Sequence, residues 1–122
     1  MSYHVVDPGE LDPLEGRSAT ARSVSEAADL ENVGIRVYEA DPGEQIPLAY
    51  HYHDVQEEAF YVVSGTLHVE TPDGEFVVER DQFFLVDPGF PHRAYNPGDA
   101  DRTVRVVAVG APATDDVHEF DP

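Results

Sequence analysis

From residue 33 onward the chain is a succession of short runs in which apolar and polar positions alternate, each closed by turn residues. Alternation with period two is the mark of a half-buried strand. Val33 to Ala40 predicts the first strand, Asp41-Pro42-Gly43-Glu44 a turn, and Gln45 to Tyr50 a second strand leading into His51-Tyr52-His53. Glu58 to Val63, the Ser64-Gly65 turn, Thr66 to Thr71, the Pro72-Asp73-Gly74 turn and Glu75 to Glu79 follow, and such short turns predict antiparallel hairpins. Gln82 to Val86, the Asp87-Pro88-Gly89 turn, a strand through His92 and Tyr95, the Asn96-Pro97-Gly98 turn and Thr103 to Val109 complete the series. About eight short strands at this spacing predict an all-β sandwich or barrel.

The flanks read differently. Residues 1–32 hold Asp7-Pro8-Gly9, Asp12-Pro13 and Gly16 before a short stretch rich in Ala and Glu, which predicts an arm with one helical turn from Ser25. Residues 111–122 are acidic with two prolines and little to bury, an expected tail that is mobile or lies over a neighbour. The division is therefore an N-terminal arm over 1–32, a β-barrel over 33–110 and a tail over 111–122, in a chain of 122 residues with room for one core.

Composition narrows the function classes. The 25 acidic residues face only seven basic ones, all Arg, for a formal net charge of −18. A field of that sign repels phosphate backbones and anionic membranes, so nucleic acid and membrane are not expected as partners. The acids are spread along the chain, as in a surface built for high salt, where screening weakens their mutual repulsion. With no cysteine, any metal must be held by histidine, carboxylate or water. No long apolar run and no basic-then-apolar leader stand in the sequence, and a cytoplasmic protein is the expectation.

The chemistry is concentrated in His51-Tyr52-His53-Asp54-Val55-Gln56-Glu57-Glu58. On a strand, residues two apart share a face with Cα atoms roughly 7 Å apart, so both imidazoles reach one ion, whereas on a helix they diverge. Glu58 shares its parity with Phe60 and Val62, which makes it the inward carboxylate, with Glu57 facing away.

Residues 43–96 resemble the paired signatures of the cupins. The first, a glycine, His-x-His, a glutamate and a glycine, falls on Gly43, His51, His53, Glu58 and Gly65. The second falls on Asp81, Asp87-Pro88-Gly89, His92 and Asn96. Seven residues instead of five separate Gly43 from His51. Asp81 stands where the family has Gly, and Asp87 where it has Pro. The resemblance implies a double-stranded β-helix, or jelly-roll cupin barrel, that holds one divalent metal through His51, His53, Glu58 and His92. Three neutral imidazoles and one carboxylate suit Fe, Mn, Ni, Zn, Cu or Co and leave positions open for water or substrate. Imidazoles bind only when deprotonated, so metal is expected to leave as pH falls below about 6.

Two functions follow as expectations. One is a small-molecule metalloenzyme of dioxygenase, isomerase or decarboxylase type, with Glu58 also accepting a proton when it loosens from the metal. The other is a non-catalytic module that binds or senses a small molecule or the metal itself. Phe60 is a pocket candidate by its parity, and Arg36 and Arg93 are candidate holders of an anionic substrate as scarce cations in an acidic chain. His4, His68 and His118 read as surface residues. The open strand edges and an outer face including Tyr61 and Val63 predict a homodimer.

Overall fold

A computed structural model describes residues 3–113 and 116–122. Among the described residues, ten strands are arranged in three antiparallel sheets. They are β1 (Thr20–Ser23), β2 (Gly34–Ala40), β3 (His51–His53), β4 (Glu57–Ser64) and β5 (Leu67–Thr71), then β6 (Gly74–Val78), β7 (Phe83–Val86), β8 (Arg93–Tyr95), β9 (Val104–Ala111) and β10 (Val117–Glu119). A five-stranded sheet runs β1-β2-β9-β4-β7, a three-stranded sheet runs β6-β5-β8, and β10 pairs with β3. Two sheets facing one another bury the inward positions of each strand. Ala21, Tyr38, Phe60, Val62, Val104 and Val106 from the larger sheet meet Leu67, Val69, Val78 and Ala94 from the smaller. No helix among the described residues is long and apolar enough to cross a membrane.

The predicted alternation is realised in β4, where Phe60 and Val62 are buried and Glu57 is exposed. Its partners come from distant chain: β9 lies between β2 and β4, with Val106 opposite both Tyr38 and Val62. The expected helical turn is α1 (Val24–Ala27), with the Ser23 hydroxyl accepting the Glu26 N–H at 3.2 Å as its N-cap.

Three expectations are corrected. Gln45 to Tyr50 is not a strand: Gln45 makes one isolated bridge to Tyr95, and the chain then runs in bends. Pro47 lacks the N–H a ladder needs, and Ile46 is instead anchored by its N–H to Ala94 O at 2.9 Å. Within residues 1–32, Thr20 to Ser23 form β1, which extends the larger sheet by pairing with Arg36 to Glu39. In the tail, Val117 to Glu119 pair with the chain's own histidine strand, Val117 opposite His53 and Glu119 opposite His51.

The unusual residue of the second signature has a backbone reason. Asp81 has φ +68°, the left-handed conformation in which glycine is at ease and Asp is among the better tolerated substitutes. Its carboxylate accepts the Tyr61 hydroxyl at 2.8 Å, and its N–H donates to Val62 O at 2.8 Å. Gly65, which ends the first signature, has φ +77°, and a Cβ there would lie 2.6 Å from Thr103 O, so the position demands glycine twice over.

Candidate functional site

Three elements converge on one buried spot. Strand β3 places His51 and His53 on the same side, each 7% exposed. The segment before β8 lies alongside, with backbone bonds from His51 N to His92 O at 3.2 Å and from His92 N to His51 O at 2.9 Å. This bridge sets the His51 and His92 rings 4.7 Å apart, and His92 is only 1% exposed. From the larger sheet, Glu58 on β4 points into the same space, paired through its backbone with Val86 and Gly110. Glu58 Oε1 lies 3.0 Å from His53 Nε2, 3.0 Å from His92 Nε2 and 4.0 Å from His51 Nε2. Nitrogen and oxygen atoms of His51, Glu58 and His92 all fall within 4.8 Å of one another, a spacing that could hold a metal ion, with His53 beside them.

The second nitrogen of each ring is also engaged. His51 Nδ1 lies 2.9 Å from Ala49 O, His92 Nδ1 3.1 Å from Phe90 O, and His53 Nδ1 3.2 Å from Asp116 Oδ1. A carbonyl or carboxylate oxygen can only accept, so each Nδ1 carries the proton and each Nε2 presents its lone pair to the site. His53 Nε2, His92 Nε2 and Glu58 Oε1 are nevertheless buried with no hydrogen bond of acceptable geometry among the described residues. Leaving buried polar atoms unpaired costs about 1–3 kcal/mol each. Converging unpaired lone pairs of this kind fit a cation bound between them.

Without a metal the same groups titrate together, because an imidazole that also carries a proton on Nε2 faces Glu58 as a cation. Burial works to raise the Glu58 carboxyl, but the His53 and His92 imidazoles set against it prevail and hold it down at about 2. Burial and the neighbouring His92 lower His51, whereas Glu58, working against burial and helped by Asp116, raises His53.

The site opens into a cavity of about 980 Å³, whose lining includes Arg36, Tyr38, Gln56, Phe60 and Val117 with the four converging residues. A volume near 1,000 Å³ is at the upper end of the range for small-molecule sites. Phe60 meets His92 edge-on at 6.0 Å between centroids and lines the cavity. Arg36 lines it, with its guanidinium 3.4 Å from the Tyr38 hydroxyl. Arg93 is placed elsewhere: it stands opposite Glu70 on the neighbouring strand, pairs with that carboxylate, bonds Gln45 Oε1 at 3.1 Å and covers the Tyr95 ring. Its register makes it one half of a cross-strand ion pair.

His68 pairs with Glu75, and His118, exposed and stacked on Tyr52, pairs with Asp54 at 2.7 Å. The sequence reading missed Asp116. One carboxylate in an acidic tail carries no signal of its own, and only the pairing of β10 with β3 distinguishes it.

Comparison with known proteins agrees with this architecture. The cupin domain family (Cupin_2) matches residues 36–110. Polyketide synthase CurC of Streptomyces cyaneus is 33% identical over 103 residues, which cover 81% of this chain and 64% of that protein. The chain thus spans less than two thirds of that curated relative. Among solved structures, the polyketide cyclase RemF of Streptomyces resistomycificus superposes with a TM-score of 0.80 at 19% identity, over 99% of this chain and 87% of that one. A sugar phosphate isomerase of the cupin superfamily from Silicibacter pomeroyi superposes with a TM-score of 0.76 at 21% identity, over 88% of this chain and 75% of that one. Likeness at these identities speaks for the fold alone, whereas the family match spans well over half the chain and includes all four converging residues. The chain belongs to the cupin family, and its barrel is the cupin double-stranded β-helix.

Proposed function

We propose that this protein is a metal-dependent enzyme that binds a divalent transition metal through His51, His53, Glu58 and His92 and acts on an enolisable carbonyl compound of the polyketide kind. The observation that carries the reading is the set of buried lone pairs, on His53 Nε2, His92 Nε2 and Glu58 Oε1, that face one another without hydrogen bonds. When bound, such a metal supplies Lewis-acid polarisation of a carbonyl or enol oxygen at its open positions.

The chain's own residues do the rest. Glu58, ionised far below neutrality, is suited to be the anionic ligand, and a proton-accepting role falls to it only when it leaves the histidines. Phe60 and Tyr38 supply apolar and hydroxyl surface to a flat oxygenated substrate, and Arg36 supplies a cation for an enolate, phenolate or carboxylate oxygen. Dioxygenation, isomerisation and decarboxylation are all open to such a centre. Similarity to the polyketide synthase CurC, at 33% identity, favours a polyketide-type substrate over a sugar phosphate.

The test is elemental analysis of untagged protein, followed by incubation of metal-loaded protein with a panel of 1,3-diketones, diols and sugar phosphates under air and under nitrogen. Product formation that depends on the metal and is lost in Glu58→Ala supports the enzyme. Tight binding of a panel member with no product under any condition supports the sensing module instead. Absence of stoichiometric metal after reconstitution overturns the enzyme and any module that senses the metal.

A further inference from the structure

We infer that Asp116 is a positioning residue for the metal centre: its carboxylate, carried in by the C-terminal strand, holds His53 in the tautomer whose Nε2 faces Glu58. This rests on the metal reading of the preceding subsection.

The three imidazoles are not held in the same way. His51 and His92 each donate from Nδ1 to the carbonyl two residues earlier, Ala49 O at 2.9 Å and Phe90 O at 3.1 Å. Those are local arrangements that the approach to each histidine provides by itself. Among the described residues His53 makes no such bond; its Nδ1 donates to Asp116 Oδ1 at 3.2 Å, from a residue 63 positions further along the chain. The other oxygen of the same carboxylate accepts the Val55 N–H at 2.7 Å, so the group is gripped from both sides. Only 16% of the Asp116 side chain is exposed.

The carboxylate is delivered by a segment docked along the whole histidine strand. Val117 to Glu119 pair with His53 to His51, and Phe120 N donates to Tyr50 O at 2.9 Å. Stacking of His118 on Tyr52 and the contact of Phe120 with Tyr50, 5.2 and 5.1 Å between centroids, bind the outer side. Val117 and Glu119 also line the cavity, so the strand that brings Asp116 is a wall of the site. A carboxylate behind a ligating imidazole fixes its tautomer and raises its basicity, and losing one weakens metal binding by about 10–100-fold.

Asp116→Asn separates this role from mere support. The amide oxygen still accepts the Val55 N–H, which turns the NH₂ toward His53 Nδ1; that nitrogen must then accept, and the proton moves to Nε2, where it blocks ligation. The experiment measures zinc(II) and cobalt(II) affinity by competition with a chromophoric chelator, and the His53 tautomer from ¹⁵N ring shifts of the metal-free protein. The expected result for Asp116→Asn is affinity lower by about 10–100-fold and a His53 proton on Nε2, with Asp116→Glu recovering part of both.

A wild-type protein that binds zinc while Asp116→Asn binds it within about twofold as tightly overturns the inference. So does a His53 tautomer unchanged in Asp116→Asn. If the wild type binds neither metal, the metal reading itself fails, and the tautomer in the metal-free protein still decides whether Asp116 sets it. Should Asp116→Asn unfold, Asp116→Glu carries the comparison.

Discussion

Replacing His92 by Ala separates the stability of the barrel from the affinity of its centre. The bridge to His51 uses backbone atoms only, at 2.9 and 3.2 Å, so it survives the loss of the ring and β8 keeps its place. The metal-free variant loses the Nδ1 bond to Phe90 O and the edge contact with Phe60, and gains a hole at a site 1% exposed. These effects together cost about 2–4 kcal/mol, offset by about 1–3 kcal/mol because the unpaired Nε2 is removed with the ring. A four-ligand zinc site is worth about 10–16 kcal/mol, so one ligand in four accounts for about 2.5–4 kcal/mol, or a loss of about 10²- to 10³-fold in affinity. At a metal concentration of about 100 Kd the wild type gains about 2.7 kcal/mol on binding, while a variant weakened about 100-fold gains about 0.4 kcal/mol. Chelator competition reads the affinity, and thermal melts with and without metal read the linked stabilisation. His68→Ala, whose ring pairs with Glu75 outside the cluster, is the control that leaves metal binding intact. A His92→Ala protein that folds and keeps the wild-type metal stoichiometry and melting shift refutes the ligand set.

Gly65→Ala and Gly16→Ala have nearly equal backbone angles, φ +77° and +74°, but an added Cβ meets Thr103 O at 2.6 Å in the first and nothing within 4 Å in the second. Urea titration should show about 1 kcal/mol of destabilisation for Gly16→Ala and about 1–3 kcal/mol more for Gly65→Ala; equal costs would show that the strand β9 backbone yields to the methyl. The Tyr95 phenol, hydrogen-bonded to Glu75 and secondarily affected by burial, is pushed up to about 12. Because its folded value is raised, the neutral phenol stabilises the fold below the ordinary value near 10, and that contribution disappears as pH rises from about 10 to about 12. An alkaline absorbance titration should show a late tyrosinate step that Tyr95→Phe removes and Glu75→Gln shifts back toward 10. A net charge of −18 should make the protein melt higher in molar KCl than in dilute buffer, and equal melting temperatures would rule out adaptation to high salt.

The inward set on β4 was legible because alternation is a property of consecutive residues: once Phe60 and Val62 are core, Glu58 has to point the same way. The same rule read too much into Gln45 to Tyr50, where Pro47 breaks the ladder. Arg36 and Arg93 were equivalent in the sequence as isolated cations, and register separated them, since Glu70 stands opposite Arg93 whereas Arg36 lies between Ser23 and Ala108. His92 could be joined to His51 only through the motif resemblance, because no local rule connects positions 41 residues apart.

By itself, then, the order of residues determined the strand-rich class, the faces of the strands and the chemical kind of the centre, since these depend on neighbours one or two positions away. The tertiary structure decided that β9 fills the gap between β2 and β4, that the imidazoles meet Glu58 across two sheets, and that the acidic C-terminal segment delivers Asp116 to His53. Each of those pairings joins distant stretches of chain. Which partner wins is settled by the backbone bonds and buried area of a whole sheet edge, quantities that no short window of sequence contains.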